Sequence, residues 1–529
     1  MNSAETEASR PTSDNMARQG GVVASMTLLS RISGLARDVV LSYLFGASQV
    51  ADMFFVALRI PNFFRRLFAE GAFSQAFVPV LMQYKASGRA QLLSFIRSLS
   101  GLFASALALV VALGVLFAPV LTALFAPGFL DQPDVYRQTS ELVRITFPYL
   151  GLISLTAYAA ALLNAHGRFA LPAATPVLLN ISLMLAAAIA IFGWVDAQPV
   201  VIVAWGVMVA GIAQLLVQLP TLGRLGLLPR PNMDTKQEGV RQVGKLLLPA
   251  VFAASVAQIN ALVNTILAST LVSGSIAWLY YADRLLELPV GLVAVALGTV
   301  ILPHLSSMVA RNDQQRFNAT LDWGLHLGLM LALPAAVGLW LLAEPLVAVM
   351  FTSFGGAMTE HDVRMAAAAL EMFAVALPGF VLVKVLQPAF FAYQDTRTPF
   401  RYAAVAVAVN LLGSLATFTW MGHVGLALAT ALSAWSQALL LFYGLVSKGH
   451  YQMGGQLLVW GLRALLCSGL LAAGLWYFSP TDVQWLQMLP LHRAGWLCFM
   501  VTAAVLGYGL ALFLFGLRPK HLRNQGATL

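Results

Sequence analysis

Long apolar segments follow one another along the whole chain, and short polar connections separate them. A helix that crosses a bilayer needs about 20 mostly apolar residues, and by this measure the pattern predicts about fourteen spanning helices. The predicted spans lie near residues 21–45, 52–82, 92–124, 138–164, 169–194, 199–220, 243–271, 276–307, 317–342, 363–392, 400–421, 424–446, 457–478 and 492–516. The pattern therefore predicts an all-α, polytopic membrane protein.

Two weak sequence similarities between distant parts of the chain indicate that the helices form a repeat. The stretch 59–79 resembles 284–303, and the segment 164–168 resembles 393–397. The offset is about six helices, and an even offset gives two copies of one orientation, related by an axis along the membrane normal. Chance similarity between apolar segments is the alternative explanation.

The repeat predicts two six-helix lobes followed by two extra helices. In chain order we expect a disordered cytoplasmic tail, an N-lobe, a cytoplasmic linker, a C-lobe, the extra helices 13 and 14, and a second cytoplasmic tail. Their bounds are 1–20, 21–220, 221–242, 243–446, 457–516 and 517–529.

The charges of the connections predict the orientation in the membrane. Basic residues recur in alternate connections, from Lys85 and Arg89 near the start to Lys448 near the end, whereas the connections between them hold mainly acids or no charge. Cytoplasmic connections carry the excess of Lys and Arg in membrane proteins. We therefore expect both termini in the cytoplasm, and a bacterial inner membrane as the location.

Composition narrows the class of function. The net charge of +9 and the pI near 9.7 would suggest a nucleic-acid partner in a soluble protein. However, apolar residues make up 59% of the chain and charged residues 10%, against roughly 25% charged residues in a soluble domain. The bases follow the membrane pattern, so no nucleic-acid partner is expected. Cys467 and Cys498 fit no metal or disulfide pattern, and no nucleotide-binding, metal or catalytic motif is recognised, so we expect no cofactor and no enzyme.

Four arginines lie deep within predicted helices, too far from either surface for easy snorkelling. They are Arg31, Arg37, Arg65 and Arg284. A charge at the bilayer centre costs roughly 2.5–3.5 kcal/mol, so such residues persist where they line water or a ligand. Bases outnumber acids around them, and the guanidinium group binds phosphate with two parallel hydrogen bonds. The sequence therefore predicts a basic cavity in the membrane for an anion such as a diphosphate.

Further polar residues lie close to these arginines along the chain, several of them on one face of predicted helix 2. The supporting residues predicted for the cavity are Asp38, Asp52, Arg59, Asn62, Arg66, Glu70, Asp283, Glu287 and Lys384. A structural alternative exists for some of them. The charged residues of helix 2 would then form an internal ion-pair ladder, and the acids beside Arg37 and Arg284 would be their structural partners.

Several motifs resemble the MurJ (MviN) family of lipid II flippases. The longest and most specific is Arg65–Pro79, which reads RRLFAEGAFSQAFVP. The others are parts of Ser25–Asp38, Phe45–Asn62, Ile145–Tyr149 and Trp278–Arg284. The resemblance extends over residues 20–516.

The resemblance implies the multidrug/oligosaccharidyl-lipid/polysaccharide exporter superfamily, with two lobes around a central cavity and a lipid-facing groove on helices 13 and 14. It implies that the chain flips lipid II, a polyprenyl-diphosphate peptidoglycan precursor, to the periplasmic leaflet by alternating access. Essential roles are implied for the four deep arginines, and supporting roles for Asp52, Asn62 and Glu70. The expected partners are lipid II and membrane lipids, with the peptidoglycan synthesis machinery as a candidate, and a monomer is expected.

The energy source is left open between membrane potential and ion coupling. Some relatives are thought to hold sodium with an acid on helix 7, where this chain has Asn260 and Asn264 and no acid. The sequence also bears on four other functions. A cation-coupled drug exporter would favour acids in the cavity, a polyprenyl-linked glycan other than lipid II remains an alternative substrate, and an enzyme would need a larger catalytic loop than the outer connection 343–362. A passive scaffold would have no use for the buried arginines.

Overall fold

The computed structural model describes residues 13–67, 72–228, 231–234, 237–353 and 355–516. Over these ranges the chain is almost entirely helical, with one 3₁₀ segment at Pro127–Asp131 and no strand. The helices are α1 (Ser13–Phe45), α2 (Gln49–Arg65), α3 (Ala72–Ala86), α4 (Arg89–Leu116), α5 (Ala118–Phe125), α6 (Pro133–Thr146), α7 (Tyr149–Ala165), α8 (Ala170–Ile191), α9 (Pro199–Leu216), α10 (Leu219–Arg224), α11 (Glu238–Ser269), α12 (Ser275–Ala310), α13 (Gln314–Leu341), α14 (Ala343–Thr352), α15 (Glu360–Ala392), α16 (Arg397–Met421), α17 (His423–Ser447), α18 (Gly455–Phe478), α19 (Asp482–Gln487) and α20 (Pro490–Leu514).

Among the described residues, ten helical segments are long and apolar enough to cross a membrane. This confirms the prediction of an all-α, multi-pass membrane protein, whereas the count of fourteen spans is not confirmed. The helix α1 is not among the ten, although it contains 33 residues. Composition sets it apart, because the charged residues Arg31, Arg37 and Asp38 interrupt its apolar stretch.

Several predicted spans consist of two helices. The predicted span 138–164 corresponds to α6 and α7, which separate at Pro148 because proline has no N–H to bond the carbonyl four residues earlier. The prediction that 343–362 is only a connection was wrong in part. Ten of its residues form α14, whose apolar residues Val347 and Phe351 are buried.

The chain divides into two compact units. Unit 1 comprises the described parts of Met1–Leu44, Val56–Leu124 and Pro133–Ser255. Unit 2 comprises those of Phe45–Phe55, Phe125–Gln132 and Val256–Leu529. The lobe bounds expected from the repeat stay a prediction.

Aromatic packing forms much of the core of unit 1. Phe77 stacks on Phe73 with ring centroids 5.0 Å apart, and its ring lies 5.1 Å from that of Tyr158. The Tyr158 hydroxyl donates to the carbonyl of Ile96 at 3.0 Å, so the one polar atom of this cluster is satisfied. These contacts join α3, α4 and α7.

The helix α15 forms the centre of unit 2 and packs against α12, α13 and α17. Small residues allow the closest approach. A Cβ atom on Gly379 would lie 3.0 Å from the backbone of Ala434 on α17, so only glycine fits there without displacement. Close packing at small residues is the usual way in which helices associate in lipid.

Candidate functional site

The predicted site residues fall in both units. Unit 1 contains Arg31, Arg37, Asp38, Arg59, Asn62, Arg65 and Arg66. Unit 2 contains Asp52, Asp283, Arg284, Glu287 and Lys384. Glu70 lies outside the described residues.

Arg37 is held tightly inside unit 1. Its Nη2 donates to Asp38 Oδ1 at 2.6 Å, and its Nη1 donates to Asn180 Oδ1 on α8 at 3.0 Å. The amide nitrogen of Asn180 in turn donates to the Ser33 hydroxyl at 2.9 Å. Only 8% of Arg37 is exposed, whereas Arg31, six residues earlier on the same helix, is exposed. The two arginines of α1 therefore differ in environment.

The helix α2 contains a proline whose effect is repaired from α6. Pro61 has no N–H, so the carbonyl of Ala57 lacks its normal helical donor. The hydroxyl of Thr146, at the end of α6, donates to this carbonyl at 2.8 Å, and Thr146 is fully buried. Hydroxyl side chains commonly satisfy carbonyls freed by proline in membrane helices.

The end of α2 carries the remaining predicted residues of unit 1. Arg65 Nε donates to Asn62 Oδ1, one turn earlier, at 3.1 Å. Arg59 and Arg65 are half-buried, and Arg66 is exposed. This bond to Asn62 orients the Arg65 side chain.

In unit 2, Asp52 caps the start of α12. Its Oδ2 accepts from the backbone N–H of Gly274 at 2.7 Å, and its Oδ1 accepts from that of Ala277 at 2.8 Å. The carboxylate is 3% exposed. A negative charge at a helix N-terminus satisfies backbone donors and interacts favourably with the helix dipole. Asp52 therefore positions the helix that carries Arg284.

Two aromatic residues fix the same end of α12. The hydroxyl of Tyr281 donates to the carbonyl of Gly46 at 2.9 Å, and Trp278 Nε1 donates to Asp362 Oδ1 on α15 at 2.9 Å. The motif Trp278–Arg284 is thus an anchoring element as well as the carrier of an arginine.

Arg284 lies one turn beyond this anchor. Its Cζ is 4.8 Å from the centroid of the Tyr280 ring, and that ring stacks on Phe55 with centroids 3.9 Å apart. Its Nη1 also donates to Glu287 Oε2 at 2.6 Å. The side chains of Arg284 and Glu287 remain 30% and 45% exposed. A guanidinium group fixed on an aromatic ring with part of its surface accessible is suited to binding an anion.

Two further predicted residues of unit 2 differ in exposure. Lys384 is exposed on α15, and Asp283 is half-buried on α12.

A neutral polar cluster occupies another part of unit 2. Asn264 on α11 and Asn410 on α16 both donate to the hydroxyl of Thr430 on α17, at 3.1 and 3.3 Å. The amide oxygens of both asparagines are buried without a hydrogen-bond partner. Oxygen atoms are present, but none of these three residues contributes a carboxylate. Within the described part of the chain, no group of three or more His, Cys, Asp or Glu is placed to hold a metal ion.

Sequence reasoning missed several of these positioning residues. A proline inside a predicted helix implies an unsatisfied carbonyl four residues earlier, so Pro61 gave a signal for a donor near Ala57, although not for its identity as Thr146. Asn180 was visible as a polar residue in an otherwise apolar span. The stacking of Phe55 on Tyr280 joins residues 225 positions apart, and no local pattern indicates it.

Comparisons with known proteins agree with the resemblance. The chain matches the family model described as "Lipid II flippase MurJ" over residues 41–493. A Haemophilus influenzae protein named "Probable lipid II flippase MurJ" is 40% identical over 514 residues, which cover 94% of this chain and 100% of that protein. A Burkholderia cenocepacia protein named "Lipid II flippase MurJ" is 38% identical over 519 residues, which cover 97% and 99%.

Solved structures show the same fold. A structure titled "Lipid II flippase MurJ, inward closed conformation" superposes with a TM-score of 0.79 at 26% identity, covering 93% of this chain and 98% of that one. An inward-facing multidrug resistance MATE family transporter of the MOP superfamily gives a TM-score of 0.60 at 14% identity, covering 87% and 99%, and shares the fold alone. The family resemblance inferred from the motifs is confirmed. The chain belongs to the MurJ lipid II flippase family, a family of membrane transporters and not of enzymes.

Proposed function

We propose that this protein flips lipid II from the cytoplasmic to the periplasmic leaflet of a bacterial inner membrane by alternating access. The observation that carries the proposal is Arg284, whose guanidinium rests on Tyr280 and whose side chain is 30% exposed. The names of relatives that match almost the whole chain support the same substrate.

The physical task is to take a diphosphate through hydrocarbon. An isolated ionised group costs tens of kcal/mol to transfer into a medium of low dielectric constant, so unassisted flipping is extremely slow. Guanidinium groups lower this cost because they supply opposite charge and donors in a planar fork. In our proposal Arg31, Arg65 and Arg284 contact the diphosphate, and Arg37 contributes while bonded to Asp38.

The rest of the substrate needs different surroundings. The sugar and peptide occupy the polar cavity, and the polyprenyl chain remains in lipid along α18 and α20. Both termini are cytoplasmic, and the monomer is the working unit. We expect this protein to act without a resident cofactor.

We propose no step through sodium. Asn264, Asn410 and Thr430 offer neutral oxygens only, so a cation held by these three side chains would keep its full charge inside an apolar unit, which is costly. We therefore expect transport to continue when sodium is replaced by potassium.

Complementation of a strain depleted of its own lipid II flippase tests the proposal. The wild-type chain should restore growth, and Arg284→Ala should fail at a normal membrane protein level. Arg364→Ala is the matched control in unit 2, since Arg364 belongs to an exposed pair with Glu360 on α15, and it should grow normally. Growth of the Arg284→Ala strain at the wild-type rate would refute the proposal that this arginine binds the substrate.

A further inference from the structure

Unit 2 has an open surface cavity of about 510 Å³ where α18, α19 and α20 meet, and most of its lining residues are exposed. Its size falls within the range of roughly 300–1,000 Å³ that is usual for small-molecule sites. Neither the family comparison nor the arginine site gives this cavity a role. It lies in the connection between α18 and α20, which the charge pattern places on the periplasmic side.

The wall of the cavity is built from well-anchored elements. Trp485 of α19 is fully buried, and its Nε1 donates to the Ser479 hydroxyl at 3.1 Å. Arg493 of α20 donates through Nη1 to Thr352 Oγ1 at 2.9 Å and through Nη2 to the carbonyl of Leu486 at 2.7 Å. These bonds hold α19 against α14 and α20, so the cavity is formed before any ligand arrives.

The lining combines aromatic faces with polar groups that both donate and accept hydrogen bonds. The polar groups belong to Ser479, Gln484, Gln487 and His492, and Trp496 supplies an aromatic face. Among the lining residues that the structure describes, none is Asp, Glu, Lys or Arg. The lining therefore matches a neutral ligand rich in hydroxyl and amide groups better than a phosphate or an ammonium group.

A saccharide has this chemistry. Its hydroxyl and acetamido groups donate and accept hydrogen bonds, and the C–H faces of its rings pack on aromatic side chains. We propose that this cavity, the α18–α20 glycan site, binds the amino-sugar headgroup of a polyprenyl-linked glycan at the periplasmic face. The assignment rests on the proposed function for the origin of the glycan, since a flipped lipid presents its sugars next to the helices that hold its tail.

The surroundings of the cavity agree with a place at the membrane surface. Trp476 and Tyr477, at the end of α18, are both more than 70% exposed. Exposed tryptophan and tyrosine are typical of the boundary between lipid and water. A headgroup bound beside them would lie in water while its lipid chain remains in the bilayer.

Binding of a water-soluble probe tests the site without any transport. The probe is the disaccharide of N-acetylglucosamine and N-acetylmuramic acid, titrated against the full chain in lipid nanodiscs, with maltose as the comparison sugar. The wild type should bind the disaccharide, and Trp496→Leu and Gln487→Leu should each weaken binding roughly tenfold or more. Trp476→Leu and Tyr477→Leu, changes of exposed aromatic residues outside the lining, should bind as the wild type does. Equal binding by all five proteins, or no binding by the wild type, would overturn the assignment.

A second binding measurement identifies the source of the glycan. The same disaccharide is offered either on a short polyprenyl diphosphate or within a soluble peptidoglycan strand. Tighter binding of the lipid-linked form that Trp496→Leu weakens supports the headgroup assignment. Tighter binding of the strand, or binding of the lipid-linked form that Trp496→Leu leaves unchanged, overturns it. Translocation of lipid II is measured on the same wild-type preparation. Translocation without disaccharide binding would refute the glycan site alone. Disaccharide binding without translocation would refute the proposed function alone.

Discussion

At the scale of single residues, the structure separates arginines that the sequence placed in one class. Arg37 is buried and bonded to Asp38 and Asn180, whereas Arg284 is partly accessible on Tyr280. The sequence could show that each of these arginines lies deep in an apolar segment. It could not show which of them has a buried partner, because Asn180 is 143 residues away from Arg37.

The buried pair leads to a prediction about protein level. Arg37→Ala should reduce the amount of folded protein in the membrane, since it leaves the Asp38 carboxylate buried without its charged partner, a change that costs about 3–5 kcal/mol. The double variant Arg37→Ala with Asp38→Ala should recover much of the level but no transport. Arg284→Ala serves as the control and should be present at a normal level. Quantitative immunoblotting of membranes checks this, and a normal level for Arg37→Ala would contradict it.

The hydrogen bond that the Thr146 hydroxyl donates to the Ala57 carbonyl gives a second prediction. Thr146→Val should lower the free energy of unfolding by about 1–3 kcal/mol, the usual cost of leaving a buried carbonyl without a donor. Thr139→Val on α6 is the matched control. Thr139 is equally buried, but its hydroxyl donates to the carbonyl of Val135, which is already bonded within its own helix. Equal loss of thermal stability in the two variants would show that the repair of the proline kink is not what Thr146 contributes.

At the scale of elements, the apolar pattern predicted the existence of the helices better than their ends. The reason is visible at α6 and α7, where the apolar run continues through Pro148 although the helix does not. It is visible again at α14, which is apolar enough to be buried but too short to span, and which the sequence analysis assigned to a connection. The position of α12 depends on Asp52, whose two bonds to backbone amides join distant parts of the chain.

The connection between α15 and α16 contacts the connection between α17 and α18. The Lys448 ammonium donates to Asp395 Oδ2 at 2.6 Å, and the ring of His450 stacks on Tyr393 with centroids 4.0 Å apart. Burial raises the pKa of the Asp395 carboxyl, but the hydrogen bonds that Lys448 and Thr398 donate to it have the larger effect. The pKa of Asp395 therefore lies below its usual range. Burial and the nearby Lys448 ammonium lower the pKa of His450.

The lowered pKa of His450 predicts a dependence of stability on pH. Because the folded protein disfavours the protonated ring, this histidine contributes its full stability above its unfolded pKa, which is near 6.5, and the contribution is lost as the pH falls below that value. His450→Phe keeps a ring that can stack on Tyr393 and removes the titration. Its melting temperature should therefore fall less between pH 8 and pH 5 than that of the wild type. Identical decreases in the two proteins would contradict this explanation.

At the scale of the whole molecule, the sequence predicted the class and family, because both depend on composition and on motifs local in the chain. Orientation across the membrane is also a property of the sequence, through the charges of the connections. The prediction is that residues 131 and 134 face the periplasm and residue 234 faces the cytoplasm.

Cysteine labelling measures this orientation directly. The native Cys467 and Cys498 are first replaced by alanine, and Cys498 is exposed in the structure. An impermeant maleimide added to intact spheroplasts should then label Asp131→Cys and Asp134→Cys but not Asp234→Cys. Disruption of the membrane should expose the last position to the reagent. Labelling of Asp234→Cys in intact spheroplasts would reverse the orientation and with it the direction of transport.

The measurement that tests the central claim most directly is translocation of lipid II by the purified chain in liposomes. Fluorescent lipid II is placed in both leaflets, and an impermeant quencher reports how much of it reaches the outer leaflet over time. The wild type should accelerate exchange between the leaflets, in potassium as well as in sodium, and Arg364→Ala should do the same. Arg284→Ala should leave exchange at the rate of protein-free liposomes, because the diphosphate then crosses without that guanidinium group. A wild-type rate equal to that of protein-free liposomes, or full activity of Arg284→Ala, would contradict the account.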